Sequence, residues 1–299
     1  MKKFIFLTIL SLLISFLSSC DVIEVPYRKE IVLPPPEETD DSTSRQRRIL
    51  IEKFTGSNCG PCPEVNQIVQ SVEKDFKRVN VISYHAGALS RPDPASGLVY
   101  DFRTAQGTAI AMDLMDASTP IGFNTPTAVL DRLNYGTSSS IPVPKSLIIT
   151  EVSKRIEVQS PISLTIYPWY NPANRTVEIS GNVIYYEAGT KDYKLAIALI
   201  ENDIRKPQKK VDGKIDTNYV HEFVFRTNIP DFAFGSEVSP NDVPVGSIIP
   251  YNRTLQLPSN VDWNPAKFVA VAYVYKNTDA PVLTREVLQS SRKKVSIVQ

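Results

Sequence analysis

The chain has 299 residues, with 33 Lys and Arg against 32 Asp and Glu, two histidines and three cysteines. A balanced charge without a basic stripe excludes a nucleic-acid footprint; Lys209-Lys210 and Arg292-Lys293-Lys294 are short runs of solvated surface. This length suits two domains or one large one behind an N-terminal leader.

Met1-Lys2-Lys3 is a positive start, and an apolar run follows from Phe4 to Leu17. As a helix that run of about 14 residues spans roughly 21 Å. A membrane span needs roughly 20 apolar residues, so the run reads as the core of a secretion signal over 1–19. A buried helix, the alternative, would have to be apolar on every face. Leu17-Ser18-Ser19-Cys20 resembles the lipobox of bacterial lipoproteins. That resemblance implies a diacylglycerol thioether on Cys20, which then becomes the N-terminus; an unmodified Cys20 after a plain signal is the alternative. More than one acyl chain is implied, and each buried methylene adds about 0.8 kcal/mol to anchoring. Loss of Lys2 and Lys3 with the signal would move the formal charge from +1 to −1.

From Cys20 to Arg47 the chain is polar and proline-rich, with Pro34-Pro35-Pro36 and Glu37-Glu38-Thr39-Asp40-Asp41. Such a stretch buries too little apolar surface to offset its ordering entropy, so 20–47 reads as a tether. Fully extended it reaches at most about 100 Å. The expected location is the cell envelope, on the outer membrane and facing outward, although Asp21 after the lipidated cysteine retains lipoproteins at the inner membrane in some bacteria.

With Cys20 lipidated, Cys59-Gly60-Pro61-Cys62 remains, in a disulfide-permissive compartment. Arg48 to Phe54 reads as a strand, and Thr55-Gly56-Ser57-Asn58 as a turn offering helix-capping side chains. Val65, Ile68, Val69, Val72 and Phe76 then mark one face of an amphipathic helix, and Val79 to Tyr84 a second strand. At a helix N-terminus, unpaired amides and the helix dipole favour a thiolate. Pro63 fits only in a first turn, so the helix is expected to start late or kink just after Cys62. A second helix is expected from Asp101 to Ala117.

Cys-Gly-Pro-Cys between a strand and a helix resembles the thioredoxin superfamily. That resemblance implies a cis-proline opposite the cysteines, assigned to Pro126 in Thr125-Pro126-Thr127-Ala128-Val129-Leu130-Asp131, with the Thr125 backbone facing the sulfurs. It also implies Cys59 as attacking thiolate and Cys62 as resolving thiol. Thioredoxins usually carry Trp before the first cysteine and an acid on the preceding strand; here Asn58 and Lys53 hold those positions, with Glu52 beside Lys53. Strand neighbours face opposite sides, so Glu52 and Lys53 cannot both tune the sulfurs. The excursion of about 40 residues between Tyr84 and Pro126 is longer than the one thioredoxin itself carries and is expected to cap the site. The lipobox, the tether, Phe54-Thr55-Gly56, the cysteine motif with Pro63, Tyr84-His85-Ala86-Gly87 and Asp131-Arg132 together resemble the outer-membrane-protein-28-like family of bacterial lipoproteins.

Three readings of the cysteine pair stand: a working dithiol, a structural disulfide that pins the turn, and a metal site. A structural zinc wants four ligands, and His85 and His221 are the only histidines. His85 either tunes the thiols or is hydrogen-bonded at a strand end; His221 has no assigned chemistry. No cofactor is expected, the partners are the membrane and a protein thiol or disulfide, and Asn174-Arg175-Thr176 and Asn252-Arg253-Thr254 are chance matches to a glycosylation pattern.

After a helix over Lys145 to Val158, strands are expected at Ile162–Tyr167, Thr176–Tyr186, Leu195–Asn202, Glu222–Thr227, Arg253–Leu257, Phe268–Lys276 and Val282–Ser290. Gly181 is a candidate bulge. The expected architecture is α+β multidomain: a thioredoxin-like α/β domain over 48–158 and a mostly antiparallel β-sandwich domain over 159–299. Arg205–Tyr219 and Pro230–Pro250 are long enough to be binding loops or plain surface, and Trp169-Tyr170 is either an exposed platform or packed.

Overall fold

The computed structural model describes residues 45–135, 141–230, 232–277 and 285–298. The expected signal, the lipidated Cys20 and the tether up to residue 44 lie outside them. The strands are β1 (Ile49–Thr55), β2 (Val79–His85), β3 (Thr127–Leu130), β4 (Ile162–Leu164), β5 (Tyr167–Asn171), β6 (Thr176–Tyr185) and β7 (Tyr193–Glu201). They continue with β8 (Ile204–Arg205), β9 (Gln208–Lys209), β10 (Ile215–Asp216), β11 (Val220–His221), β12 (Val224–Asn228) and β13 (Ser236–Glu237). The last four are β14 (Ile248–Gln256), β15 (Phe268–Lys276), β16 (Val287–Lys294) and β17 (Ser296–Ile297). Helices α1 (Cys62–Asp75), α2 (Ala105–Leu114) and α3 (Ile148–Arg155) complete a mostly β fold.

One sheet runs β16-β15-β7-β12-β2-β1-β3, with β13 on β7, and a second runs β14-β6-β5-β17, with β4 on β6. Strands from both sides of residue 158 therefore share the first sheet. The join is parallel, Val224 pairing with Ser83, and the Ser83 amide donates to the Phe223 carbonyl at 2.8 Å. Alternation along β7 explains how one sheet serves two cores. Ala196, Ala198 and Ile200 face the core beneath the helices, and Leu195, Ile197 and Leu199 face the second sheet. β15 does the same, with Val271, Tyr273 and Tyr275 on one side and Phe268, Ala270, Ala272 and Val274 on the other.

Several expectations need correction. α1 begins at Cys62 itself, with Pro63 in its first turn, where the missing N–H would have had no intrahelical partner. No side chain of the 55–58 turn caps it; the residue before the helix is Pro61. α2 starts four residues later than expected, because Thr104 caps it by accepting from the Gly107 amide and Asp101 is tied up with Arg103. Gly181 sits in regular register opposite Tyr251, not in a bulge. Glycine is required there because a Cβ would fall on the Thr165 carbonyl and the Tyr251 hydroxyl, which themselves bond at 2.5 Å. β14 extends five residues earlier than Arg253, along β6, and β16 runs on to Lys294. Tyr170 packs between the sheets, so the Trp169-Tyr170 pair is not an exposed platform.

The packed chain begins before residue 47. Arg47 is buried, and its guanidinium donates to the carbonyls of Val158, Gln159, Val287 and Leu288 at 2.9–3.3 Å. A second buried arginine ties β1 to β15. Arg132 makes a two-pronged ion pair with Glu52, Nε to Oε2 at 2.7 Å and Nη2 to Oε1 at 2.8 Å, and lies over the Tyr275 ring at 4.5 Å. Removing one partner of such a pair strands the other charge in the interior. Arg132→Ala should therefore cost about 3–5 kcal/mol in denaturant unfolding; a loss below about 1 kcal/mol, the surface-pair range, would contradict this reading of the pair.

Candidate functional site

β1 runs from the core toward its exit at Thr55, and the chain then turns through Gly56–Pro61 into α1. Two backbone bonds shape the turn, from the Cys59 amide to the Gly56 carbonyl at 3.1 Å and from the Cys62 amide to the Cys59 carbonyl at 3.2 Å. Cys59 and Cys62 are disulfide-bonded, with Cα atoms 5.3 Å apart. Both have 0% exposure. The Thr125–Pro126 peptide is cis, as the resemblance implies. Thr127 pairs with Phe54, so the half-buried Pro126 lies one residue beyond that pair, level with the end of β1 and the start of the cysteine turn.

The cover over the disulfide comes from far along the chain. The Lys209 amide donates to the Ser57 carbonyl at 2.8 Å, and the Gln208 side-chain amide donates to the carbonyls of Gly56 at 3.2 Å and Cys59 at 3.0 Å. The Lys210 carbonyl lies 3.0 Å from where a Cβ on Gly60 would stand, so Gly60 permits this close approach. The tip of the β9–β10 hairpin carries an exposed Val211. The excursion after β2 contributes as well: the Asn58 amide donates to the Leu89 carbonyl at 3.0 Å.

Beneath the turn, Lys53, Thr55, Ser83 and His85 share one face of the sheet, because Lys53 pairs with Ser83 and Thr55 with His85 in a parallel ladder. Glu52 faces the other way, to Arg132. Lys53 Nζ donates to Asn66 Oδ1 of α1 at 2.5 Å, and the Asn66 amide donates to the Tyr219 hydroxyl at 2.7 Å. Burial pushes the Lys53 ammonium down to about 7, against a raising influence from Glu222. His85 stacks on Phe102 with ring centres 4.3 Å apart, and His221 lies 5.6 Å from His85. Burial holds His85 well below the ordinary histidine value and His221 at about 4, so both rings are neutral near pH 7. Neither nitrogen of His85 has a hydrogen-bond partner among the described residues, and the same holds for Thr55 Oγ1, Ser57 Oγ and Ser83 Oγ. His85 is thus not the hydrogen-bonded strand-end histidine the sequence allowed. No group of three or more His, Cys, Asp or Glu among the described residues is arranged to hold a metal. Nor is any helix among them long and apolar enough to cross a membrane.

Sequence reasoning did not anticipate Gln208, Asn66, Tyr219 or the part of His221 in this cluster. The only signal was the length of the 205–219 stretch.

Residues 121–298, well over half the chain, match the family described as outer membrane protein Omp28. The chain belongs to the Omp28 family. The matched region starts beyond the cysteine pair, so membership in the Omp28 family speaks for β3 onward and leaves the CGPC turn to its own geometry. Among solved structures, HBP35 of Porphyromonas gingivalis is similar at 12% identity and a TM-score of 0.63, over 84% of this chain and 76% of that one. A protein of Agrobacterium tumefaciens is similar at 14% identity and a TM-score of 0.51, over 85% of this chain and 96% of that one. At such identities the likeness is one of fold. Comparison with curated proteins gives no match.

Two measurements check the site. Gln208→Ala removes two hydrogen bonds of about 1 kcal/mol each, which corresponds to roughly thirtyfold more of the uncovered form. Reduction of the Cys59–Cys62 disulfide by dithiothreitol should accelerate accordingly, and a rate unchanged within about twofold would show that this segment does not control access. The buried neutral histidines set the acid limb of stability. Their folded pKa values lie below the unfolded value of 6.5, so the unfolded chain binds more protons and stability falls as pH drops from 6.5 through about 4. His85→Phe preserves the stack on Phe102 and should flatten that decline in thermal melts; an equally steep decline would contradict the burial of a neutral ring.

Proposed function

We propose that this Omp28-family protein is an envelope lipoprotein, anchored through lipid on Cys20, whose thioredoxin-like first half exchanges thiols and disulfides with protein partners through Cys59 and Cys62. The observation that carries the reading is a closed two-cysteine ring at the N-terminal tip of α1, directly after β1. At that tip the helix dipole and free amides favour a thiolate over a thiol. Pro126 at the head of the strand beside β1 supports the same reading, with Thr125 offering its backbone to an extended partner segment. The signal-like N-terminus and the family's outer membrane description support the location.

In the exchange, the Cys59 thiolate attacks one sulfur of a partner disulfide. A Cys59–partner bond forms, the partner's own bond breaks, and the displaced thiolate takes up a proton. The Cys62 thiolate then attacks the Cys59 sulfur, the Cys59–Cys62 bond re-forms, and the second partner sulfur leaves as thiolate and is protonated. Two electrons and two protons pass to the partner. Lys53 and His85, on the strands that lead up to the turn, are the groups we assign to tuning its pKa; Glu52 is committed to Arg132. Since both cysteines are covered, the Gln208–Asp216 hairpin must lift for a partner to reach Cys59.

The same complete burial favours a second reading, in which the disulfide only pins the turn and the protein is a binding or adhesion module of the cell surface. Insulin reduction by the full chain in detergent, driven by dithiothreitol, separates the two. Turnover that falls to background in Cys59→Ser is expected. No turnover, with the pair still bonded in millimolar dithiol, would leave the binding module as the correct reading.

A further inference from the structure

The alternation that packs Tyr170 between the sheets turns Tyr167 and Trp169 to the outer face of β5. Tyr167 is 50% exposed and Trp169 is half-buried. Standing two residues apart on one strand, they are about 6.6–6.8 Å from each other. The register carries this face across β6 to β14. Tyr167 is opposite Ser180, which is opposite Asn252; Trp169 is opposite Glu178, which is opposite Thr254. With neighbouring strands about 4.7–4.9 Å apart, the two rows form a grid roughly 10 Å wide. Asn252 and Thr254 are exposed at its far side. Lys293 stands beside the grid, its ammonium 5.1 Å from the centre of the Tyr167 ring.

The side chains of Ser180, Glu178, Asn252 and Thr254 bond no other described residue, so their donors and acceptors are open to a ligand. Within the grid only the two rings are apolar, which suits no hydrophobic protein partner. One carboxylate, Glu178, and one ammonium, Lys293, leave the face close to neutral, which does not suit a polyanion. A neutral, polyhydroxylated ligand complements both features. The C–H face of a pyranose ring lies against the electron-rich face of Tyr or Trp. Its hydroxyls, at the ring edge, then meet amide, hydroxyl and carboxylate groups that can donate and accept.

We propose that the outer face of β5, β6 and β14 binds a straight, uncharged hexopyranose chain, with neighbouring sugar rings stacked on Tyr167 and Trp169. Equatorial substituents leave both faces of such a ring as C–H, and equatorial linkages keep the chain extended. Neighbouring rings can therefore follow the line of one strand. Asn252, Ser180, Thr254 and Glu178 bind the hydroxyls on the β14 side of that line. The site belongs to the sheet that does not carry the cysteine turn, and it does not rest on the exchange reading.

The chain has two tryptophans, so Trp263→Phe leaves Trp169 as the sole indole and its fluorescence as the reporter. The full chain with that change, in a detergent without a sugar headgroup, is titrated with cellohexaose, N-acetylchitohexaose and the curved maltohexaose. One of the two straight chains should bind with Kd below about 1 mM and shift the Trp169 emission. Maltohexaose should bind at least about tenfold more weakly. Tyr167→Ala removes one stacking surface and should weaken binding about tenfold, with the thermal midpoint within about 2 °C. Asn252→Ala, also at an exposed position, removes a hydrogen bond of about 1 kcal/mol and should weaken binding about fivefold.

Failure of both straight chains to bind below about 1 mM overturns the proposal. So does maltohexaose binding as tightly as they do. A Kd unchanged in both Tyr167→Ala and Asn252→Ala overturns it too, since the sugar would then sit elsewhere. The same holds if sedimentation shows a dimer that Tyr167→Ala dissociates, because the occupant of this face would then be a second copy of the chain.

Discussion

One parallel pairing, β12 against β2 through Val224 and Ser83, fixes where everything else in the molecule can go. It fuses the strands after residue 158 to the sheet that carries the cysteine turn. The connection from β7 to β12 must then cross the end of β1, and that connection is the 204–221 segment that lies on the disulfide. The cover is held by one backbone bond, from Lys209 to Ser57, and by the Gln208 side-chain amide on the carbonyls of Gly56 and Cys59. Its attachment to the turn therefore depends on the Gln208 side chain as well as on chain geometry.

Sealing that end of the sheet has a chemical consequence. Lys53, Thr55, Ser83 and His85 form a polar row on a face that elsewhere is apolar, and once covered they are cut off from water. Charged forms are disfavoured there, so the histidines stay neutral and the lysine gives up its proton far more readily than a surface amine does. The opposite face of β1 handles charge differently. Glu52 and Arg132 are also buried, but each satisfies the other, with Tyr273 and Tyr275 around the guanidinium. Two adjacent residues of one strand thus have opposite fates: one belongs to a closed ion pair that joins β1 to β15, the other is a buried amine bonded to the neutral Asn66.

Much of this was legible in the sequence where the signal was local. The strand–turn–helix around Cys59 and Cys62, the apolar face of α1 and the alternation of β6 all follow from spacing along the chain. Pro126 was legible only through the resemblance. What was not legible depended on contacts between distant segments. β7 and β15 read as uniform apolar runs because they are buried on both faces, and nothing in Leu195–Ile200 tells which face meets helices and which meets the second sheet. Arg47 looked like the end of a polar tether, yet four carbonyls from residues far along the chain bind it. Gln208, Tyr219 and His221 lie in a stretch whose composition is that of ordinary surface, and only the β2–β12 pairing delivers them to the site. Gly181 was misread for a related reason: its need for a missing Cβ comes from Thr165 and Tyr251 and not from a distortion of its own strand.

The central claim is that Cys59 can be reached by a partner sulfur and Cys62 then releases it. Cys62→Ser removes the release step and leaves the attack intact, so the variant should accumulate in the envelope as a mixed disulfide, seen as a dithiol-sensitive shift on non-reducing gels and mapped to Cys59 by mass spectrometry. If Cys62→Ser is recovered with Cys59 as a free thiol and no covalent partner under oxidising conditions, the pair is a structural clasp and the exchange account is wrong.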